Sequence, residues 1–122
     1  MKNWIIVGSI LSALGVVFGA FGAHALKARI TPEDLTIFET GVKYHFYHAL
    51  GLILIGLIGF HYSPQLLRLP AIILSLGILL FSGSLYLMVL SGARWLGAVT
   101  PLGGVAFIVG WLLLAFNLYR SS

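Results

Sequence analysis

The run Trp4-Ile-Ile-Val-Gly-Ser-Ile-Leu-Ser-Ala-Leu-Gly-Val-Val-Phe-Gly-Ala-Phe-Gly-Ala-His-Ala-Leu26 decides what kind of molecule this is. It holds no Asp, Glu, Lys or Arg. As a helix it reaches roughly 34 Å, enough to cross a ~30 Å hydrocarbon core with some tilt. Its small residues Gly8, Ser12, Gly15, Gly19 and Gly22 recur every three or four positions, so they form one ribbon that includes Gly15-x-x-x-Gly19. Small ribbons let helix backbones approach closely, which is how helices pack where lipid removes the hydrophobic drive. Helix packing is therefore the expected role of Gly15, Gly19 and Gly22, with a ligand groove as the alternative. Lys2 and Ala23-His24-Ala25 imitate a cleavable signal, but the run of about 23 residues exceeds the usual 7–15 of a signal core. It reads as a retained first span.

The rest of the chain agrees. Of 122 residues 60% are hydrophobic and 8% charged, and the mean hydropathy is +1.06. Soluble domains carry roughly 25% charged residues, so this composition cannot cover a water-facing surface. The expected fold class is all-α: an integral membrane four-helix bundle with a short interfacial helix between spans 1 and 2. One transmembrane domain is expected over residues 1–122, with spans at about 3–26, 42–60, 69–90 and 95–119. The lipid bilayer is the first partner this implies.

The net charge of +4 comes from single basic residues at span ends. A nucleic-acid footprint needs clustered Lys and Arg on one face, so no nucleic-acid partner is expected; these residues anchor helix ends and set topology. With both termini on one side, Lys2, Arg68 and Arg120 stand against Lys27, Arg29, Lys43 and Arg94. That balance tips only slightly towards loops 1 and 3 being cytoplasmic. The absence of cysteine removes disulfides, thiolate metal sites and a Cys nucleophile.

Loop 1 carries all the acids. Thr31-Pro-Glu-Asp34 reads as a helix start, with Thr31 as cap, Pro32 in the first turn and acids at the positive helix end. Leu35, Ile37 and Phe38 extend it into the short interfacial helix, and Gly41 is the expected break before span 2. Lys43, Tyr44, His45, Tyr47 and His48 crowd the start of that span. Pro70 suits the first turn of span 3, and Ser82, Ser84 and Tyr86 gather late in it. Thr100-Pro-Leu-Gly-Gly104 opens span 4, where Pro101 frees a carbonyl that neighbours must satisfy.

Counted inward from loops 1 and 3 at 1.5 Å per residue, His24 lies about 3 Å deep, His48 roughly 7–9 Å, Tyr86 about 6 Å, Ser84 about 9 Å, Ser82 about 12 Å and Thr100 about 8 Å. Gly19, Gly22, Gly103 and Gly104 lie at comparable depth. The candidate site is thus a one-sided polar layer of His24, Tyr44, His48, Ser82, Ser84, Tyr86 and Thr100. His24 and His48 are expected to face the bundle interior. The layer reads as a hydrogen-bond network that fixes packing or as a shallow pocket open to one interface. His24, His45 and His48 supply three imidazoles, but the i, i+3 spacing of the last two is not the usual His-x-x-x-His pairing. No metal, cofactor or catalytic residue is assigned.

Gly19-Ala-Phe-Gly-Ala-His-Ala-Leu26, Phe38-Glu-Thr-Gly with Tyr44 and His48-Ala-Leu, Leu80-Phe-Ser-Gly-Ser-Leu-Tyr86, and Thr100-Pro-Leu-Gly-Gly104 with Gly110-Trp111 resemble the YgdD-like family of small bacterial membrane proteins of unknown function. The resemblance covers essentially the whole chain. It implies four spanning helices and a place in the cytoplasmic membrane, and no established activity. The family pattern more often has Gln at the position of His45, which weakens a three-histidine metal site further.

Three function classes stay open. One is a non-enzymatic accessory or interaction protein, as a single copy or a homo-oligomer. The second is binding or transport of a small molecule, lipid headgroup or ion as an oligomer. The third is a membrane enzyme using His24 and His48.

Overall fold

Thr31 acts as its chemistry predicts. In the computed structural model, which describes residues 2–121, its hydroxyl accepts the Asp34 amide N–H at 3.1 Å. From that cap a helix runs unbroken over Pro32–Ile58. We call it α2, after α1, Lys2–Phe21, which ends in a wide π-helical turn over Gly22–Leu26. α3 covers Pro64–Ser91. A 3₁₀ segment, Arg94–Ala98, leads into α4, Thr100–Arg120. All four helices are long and apolar enough to cross a membrane, and they form an all-α membrane bundle.

Three boundaries differ from the sequence reading. The interfacial helix is not a separate element, because Gly41 does not break α2. The Tyr86 ring sits 2.9 Å from where a Gly41 Cβ would be, so the glycine admits a neighbour while the helix continues. α3 starts at Pro64 rather than near Pro70, capped by Ser63, which accepts the Gln65 N–H at 3.3 Å. Pro70 then lies inside α3, where its missing N–H frees the carbonyl four residues back. That carbonyl belongs to Leu66, and the Asn117 side-chain amide donates to it at 2.9 Å. Pro101 instead falls in the first turn of α4, where its lack of an N–H costs little.

α2 and α3 are the central pair. In their most apolar stretches 44% and 50% of residues are buried, against 17% in the first span and 17% in the last. α1 packs on α2, α2 on α3 and α3 on α4. The core joins Leu52 and Ile55 of α2 to Leu67, Ala71, Leu74 and Ile78 of α3, with Phe107 and Leu114 from α4 and Trp4, Val7 and Leu11 of α1 laid against it. The outer helices thus lie on either side of the α2–α3 pair.

Glycines seat the outer helices. The buried residues of α1 are Gly8 and Gly15, followed by Gly22 in the π turn. A side chain at Gly8 would meet the Ala49 carbonyl at 2.6 Å, at Gly15 the Phe46 ring at 2.9 Å, and at Gly22 the Phe38 ring at 2.9 Å. Gly19 meets only Val42, at an ordinary 3.5 Å. The ribbon is therefore used at every seventh position, the heptad interval that keeps one helix face on its partner. α4 repeats the interval: Gly103 lies on the Phe81 backbone, Gly110 on Leu74 at 2.6 Å, and Asn117 reaches Leu66. Gly104 only grazes Phe81, at 4.0 Å.

Candidate functional site

The continuity of α2 places its polar residues far from the helix start. Counted from Pro32, His48 lies about 24 Å along the helix, not 7–9 Å from its end, and Tyr44 and His45 are just above it. The expected layer divides into two clusters, one on each side of the α2–α3 pair.

The first cluster faces α1. The His45 ring is buried at 3% exposure. Its Nε2 is 2.7 Å from the Leu11 carbonyl oxygen and its Nδ1 is 2.9 Å from the Tyr86 hydroxyl. A carbonyl only accepts, so Nε2 carries the proton and donates. In the neutral ring Nδ1 then accepts from the Tyr86 hydroxyl. The Leu11 carbonyl is within reach because it lies between Gly8 and Gly15, one turn from each. Phe18 stacks on the Tyr86 ring at 4.5 Å, and Phe38 leans on it at 5.0 Å. Beneath Tyr86, Ser82 donates to the Gly41 carbonyl of α2 at 2.6 Å.

The second cluster faces α4. The Nδ1–H of His48 donates to the carbonyl of Tyr44 at 2.8 Å, and the Trp111 indole N–H donates to His48 Nε2 at 3.0 Å. Those partners set the opposite tautomer from His45. The His48 ring stacks on Phe107 at 3.6 Å with an interplanar angle of 8°. Gly51, one turn on, leaves room for the Trp111 ring, which approaches its absent Cβ position to 2.8 Å. Tyr44 is partly exposed and packs on Phe81 at 4.9 Å. Between α3 and α4, Ser84 donates to its own helix at Phe81 (2.9 Å) and accepts from the Thr100 hydroxyl at 2.6 Å.

His24 joins neither cluster. The buried positions of the π turn are Gly22 and Leu26, and His24, between them, is exposed. Its expected interior placement is overturned because the wide turn directs the other face inward. His45, which the family pattern had discounted, stands at the centre of the first cluster instead. Among the described residues no group of three His, Asp or Glu side chains is gathered as a metal would need. Trp111, Asn117 and the Leu11 carbonyl are absent from the sequence-based list. The interval Gly103, Gly110, Asn117 was the available signal for the last face of α4; a backbone carbonyl leaves none.

A groove of about 480 Å³ runs along the second cluster, lined by Tyr44, His48, Phe81, Gly104, Phe107, Ile108 and Trp111. At the membrane end shared by loops 1 and 3, Arg94 pairs with Asp34 at 2.8 Å. This exposed bridge ties the start of α2 to the 3₁₀ turn.

Comparison with known proteins follows the same outline. A family model described as a protein of unknown function, DUF423, matches residues 18–104. A UPF0382 membrane protein of Staphylococcus haemolyticus is 42% identical over 120 residues, covering 98% of both chains. The UPF0382 membrane protein YwdK of Bacillus subtilis is 44% identical over 119 residues, covering 93% of this chain and 94% of its own. A UPF0382 membrane protein of Staphylococcus epidermidis is 45% identical over 114 residues, covering 93% of each. No solved structure matches the chain. With four membrane-spanning helices, the YgdD-like motifs and relatives matched over nearly their full length, the chain belongs to the UPF0382 (DUF423) family of small, multi-pass bacterial membrane proteins.

Proposed function

We propose that the protein is a non-enzymatic membrane protein that works through contacts with other membrane components, as an accessory or interaction partner. One observation carries this reading: every ring nitrogen of His45 and His48 is engaged inside the bundle. A histidine that serves as acid, base or metal ligand needs a nitrogen free for the reacting group. These are occupied by two carbonyls, a phenol and an indole. Among the described residues no buried side-chain nitrogen or oxygen lacks a partner, which is the condition for a polar network that specifies packing. The polar clusters then hold two glycine-seated helices in place, and the outer faces are left for contact.

The groove beside His48 favours a second reading, a flat amphipathic ligand lying against Tyr44 and Phe107. Such a ligand has to displace Trp111 to reach His48. Native mass spectrometry of the full chain released from its own lipid separates the two. The packing reading predicts lipid alone in the spectrum, and a lowered unfolding midpoint for His48→Phe with the spectrum unchanged. A small molecule or metal held by the wild type and lost from His48→Phe would overturn it.

A further inference from the structure

Among the described residues, the outward face of α2 carries a contrast of charge on the bundle's lipid-facing surface that the packing does not use. Glu39, Lys43 and Tyr47 follow one another at intervals of four, so they project on one face, and all three are exposed. This face points away from α3, between the two outer helices. Its depth is fixed by the neighbours. Val42 is level with Gly19 and Phe46 with Gly15, so Lys43 and Tyr47 lie alongside the last third of α1, ahead of the π turn. There the outward residues of α1 are Val16, Val17 and Ala20. α3 presents Leu79, Leu80 and Leu87 near its corresponding end, and α4 presents Leu102, Val105 and Ile108.

Thr36 and Thr40, higher on this face, bond back to their own helix. Glu39 and Lys43 do not pair: among the described residues the salt bridge formed is Arg94 with Asp34. Ionisable side chains at membrane depth face protein or water and pair with one another. An unpaired acid and base one turn apart on a lipid-facing helix therefore call for a partner. A copy inserted the same way and related by a two-fold axis along the membrane normal keeps each residue at its own depth, so each Lys43, whose side chain leans towards the helix N-terminus, reaches the other copy's Glu39 diagonally, one turn away. That is the reciprocal contact an isologous dimer requires. Glu39 and Lys43 also rim a shallow cleft floored by Gly19 and Gly22, which lets the second backbone come close.

We infer that the outward face of α2 is a homodimer interface, with two reciprocal Glu39–Lys43 ion pairs joining copies of this chain in the bilayer. The inference rests on the reading of the protein as an interaction protein and names the first partner.

The full chain in lipid nanodiscs or native membranes provides the test. Wild type is expected to be dimeric. Glu39→Lys and Lys43→Glu are each expected to lower dimer affinity by about tenfold or more, because the stripe then carries a single sign of charge on both copies and no diagonal pair can form. Both sites are exposed, so each variant keeps the helicity of the wild type. An equimolar mixture of the two variants is expected to recover the dimer, since each supplies the charge the other lacks; a pair within one helix gives no such recovery. The chain has no cysteine, so Tyr47→Cys reports the contact independently, by disulfide formation on mild oxidation. A monomeric wild type, a dimer indifferent to both reversals, or a mixture that fails to recover overturns the interface. A monomer that keeps its Trp111–His48 bond leaves the packing reading standing, whereas a dimer whose His48 binds a small molecule overturns that reading and spares the interface.

Discussion

The two outer helices are seated by the same device and locked by different chemistry. α1 meets α2 through Gly8, Gly15 and Gly22, and α4 meets α3 through Gly103, Gly110 and Asn117. On the α4 side the locks are side chains: the Trp111 indole on His48, the Thr100 hydroxyl on Ser84 and the Asn117 amide on Leu66. On the α1 side the lock is a bare backbone carbonyl, that of Leu11, presented to His45. A helix whose part-buried polar side chain, Ser12, bonds only to its own Gly8 carbonyl can still be held by a hydrogen bond, provided glycines bring its main chain within reach. The glycine seats differ within each helix. Gly8 and Gly103 lie on main chain, at Ala49 and Phe81, whereas Gly110 lies on the Leu74 side chain and Gly15 on the far edge of the Phe46 ring.

The largest effect expected comes from that last difference. Gly103→Ala sets a methyl group against backbone that cannot yield, and an overpacking loss of about 3 kcal/mol is expected. Gly15→Ala asks only that the Phe46 ring move, for a loss of about 1 kcal/mol. Unfolding of both variants in a bilayer mimetic measures the contrast, and equal losses would erase it. Next in size, Asn117→Leu strips the partner from the carbonyl that Pro70 frees, for an expected loss of about 1–2 kcal/mol. The companion variant Pro70→Ala restores the helical N–H, so Asn117→Leu in that background is expected to cost less; an undiminished loss would detach Asn117 from the proline. At the small end, His24→Ala is expected to leave the unfolding midpoint where it was, because the ring is exposed and joins neither cluster. A drop comparable to that of Asn117→Leu would return His24 to the interior.

Much of this was legible in the residues. Four apolar runs bounded by Lys, Arg, Trp and Tyr give four spans, and the glycine ribbon of α1 marks a packed face. Ser84 and Thr100, which the sequence puts at one depth, share a hydrogen bond, and Ser82 and Tyr86 both reach α2. What misled was Gly41: read as a break, it set the start of the second helix too late and placed His48 near that helix's beginning. A glycine's propensity does not say whether a neighbour's ring will fill its notch, and here Tyr86 does. His24 was misplaced because the widened turn after Phe21 alters which face points inward, and nothing in Gly22-Ala-His-Ala-Leu26 announces a π turn. The Leu11 carbonyl was invisible for a simpler reason, since every residue has one. Its use depends on the seven-residue interval of the flanking glycines, which the intervals of three and four had obscured.

The claim beneath all of this is that the intramembrane histidines serve as packing partners, and the bond between His48 and Trp111 tests it most directly. A double-mutant cycle of His48→Phe and Trp111→Phe, read by unfolding in lipid nanodiscs, isolates their mutual contribution from the packing each ring makes alone. The account predicts a favourable coupling of about 0.6–1.7 kcal/mol, the range of interhelical hydrogen bonds in membranes. Strictly additive losses would contradict it, for then the indole and the imidazole do not hold each other in the folded protein.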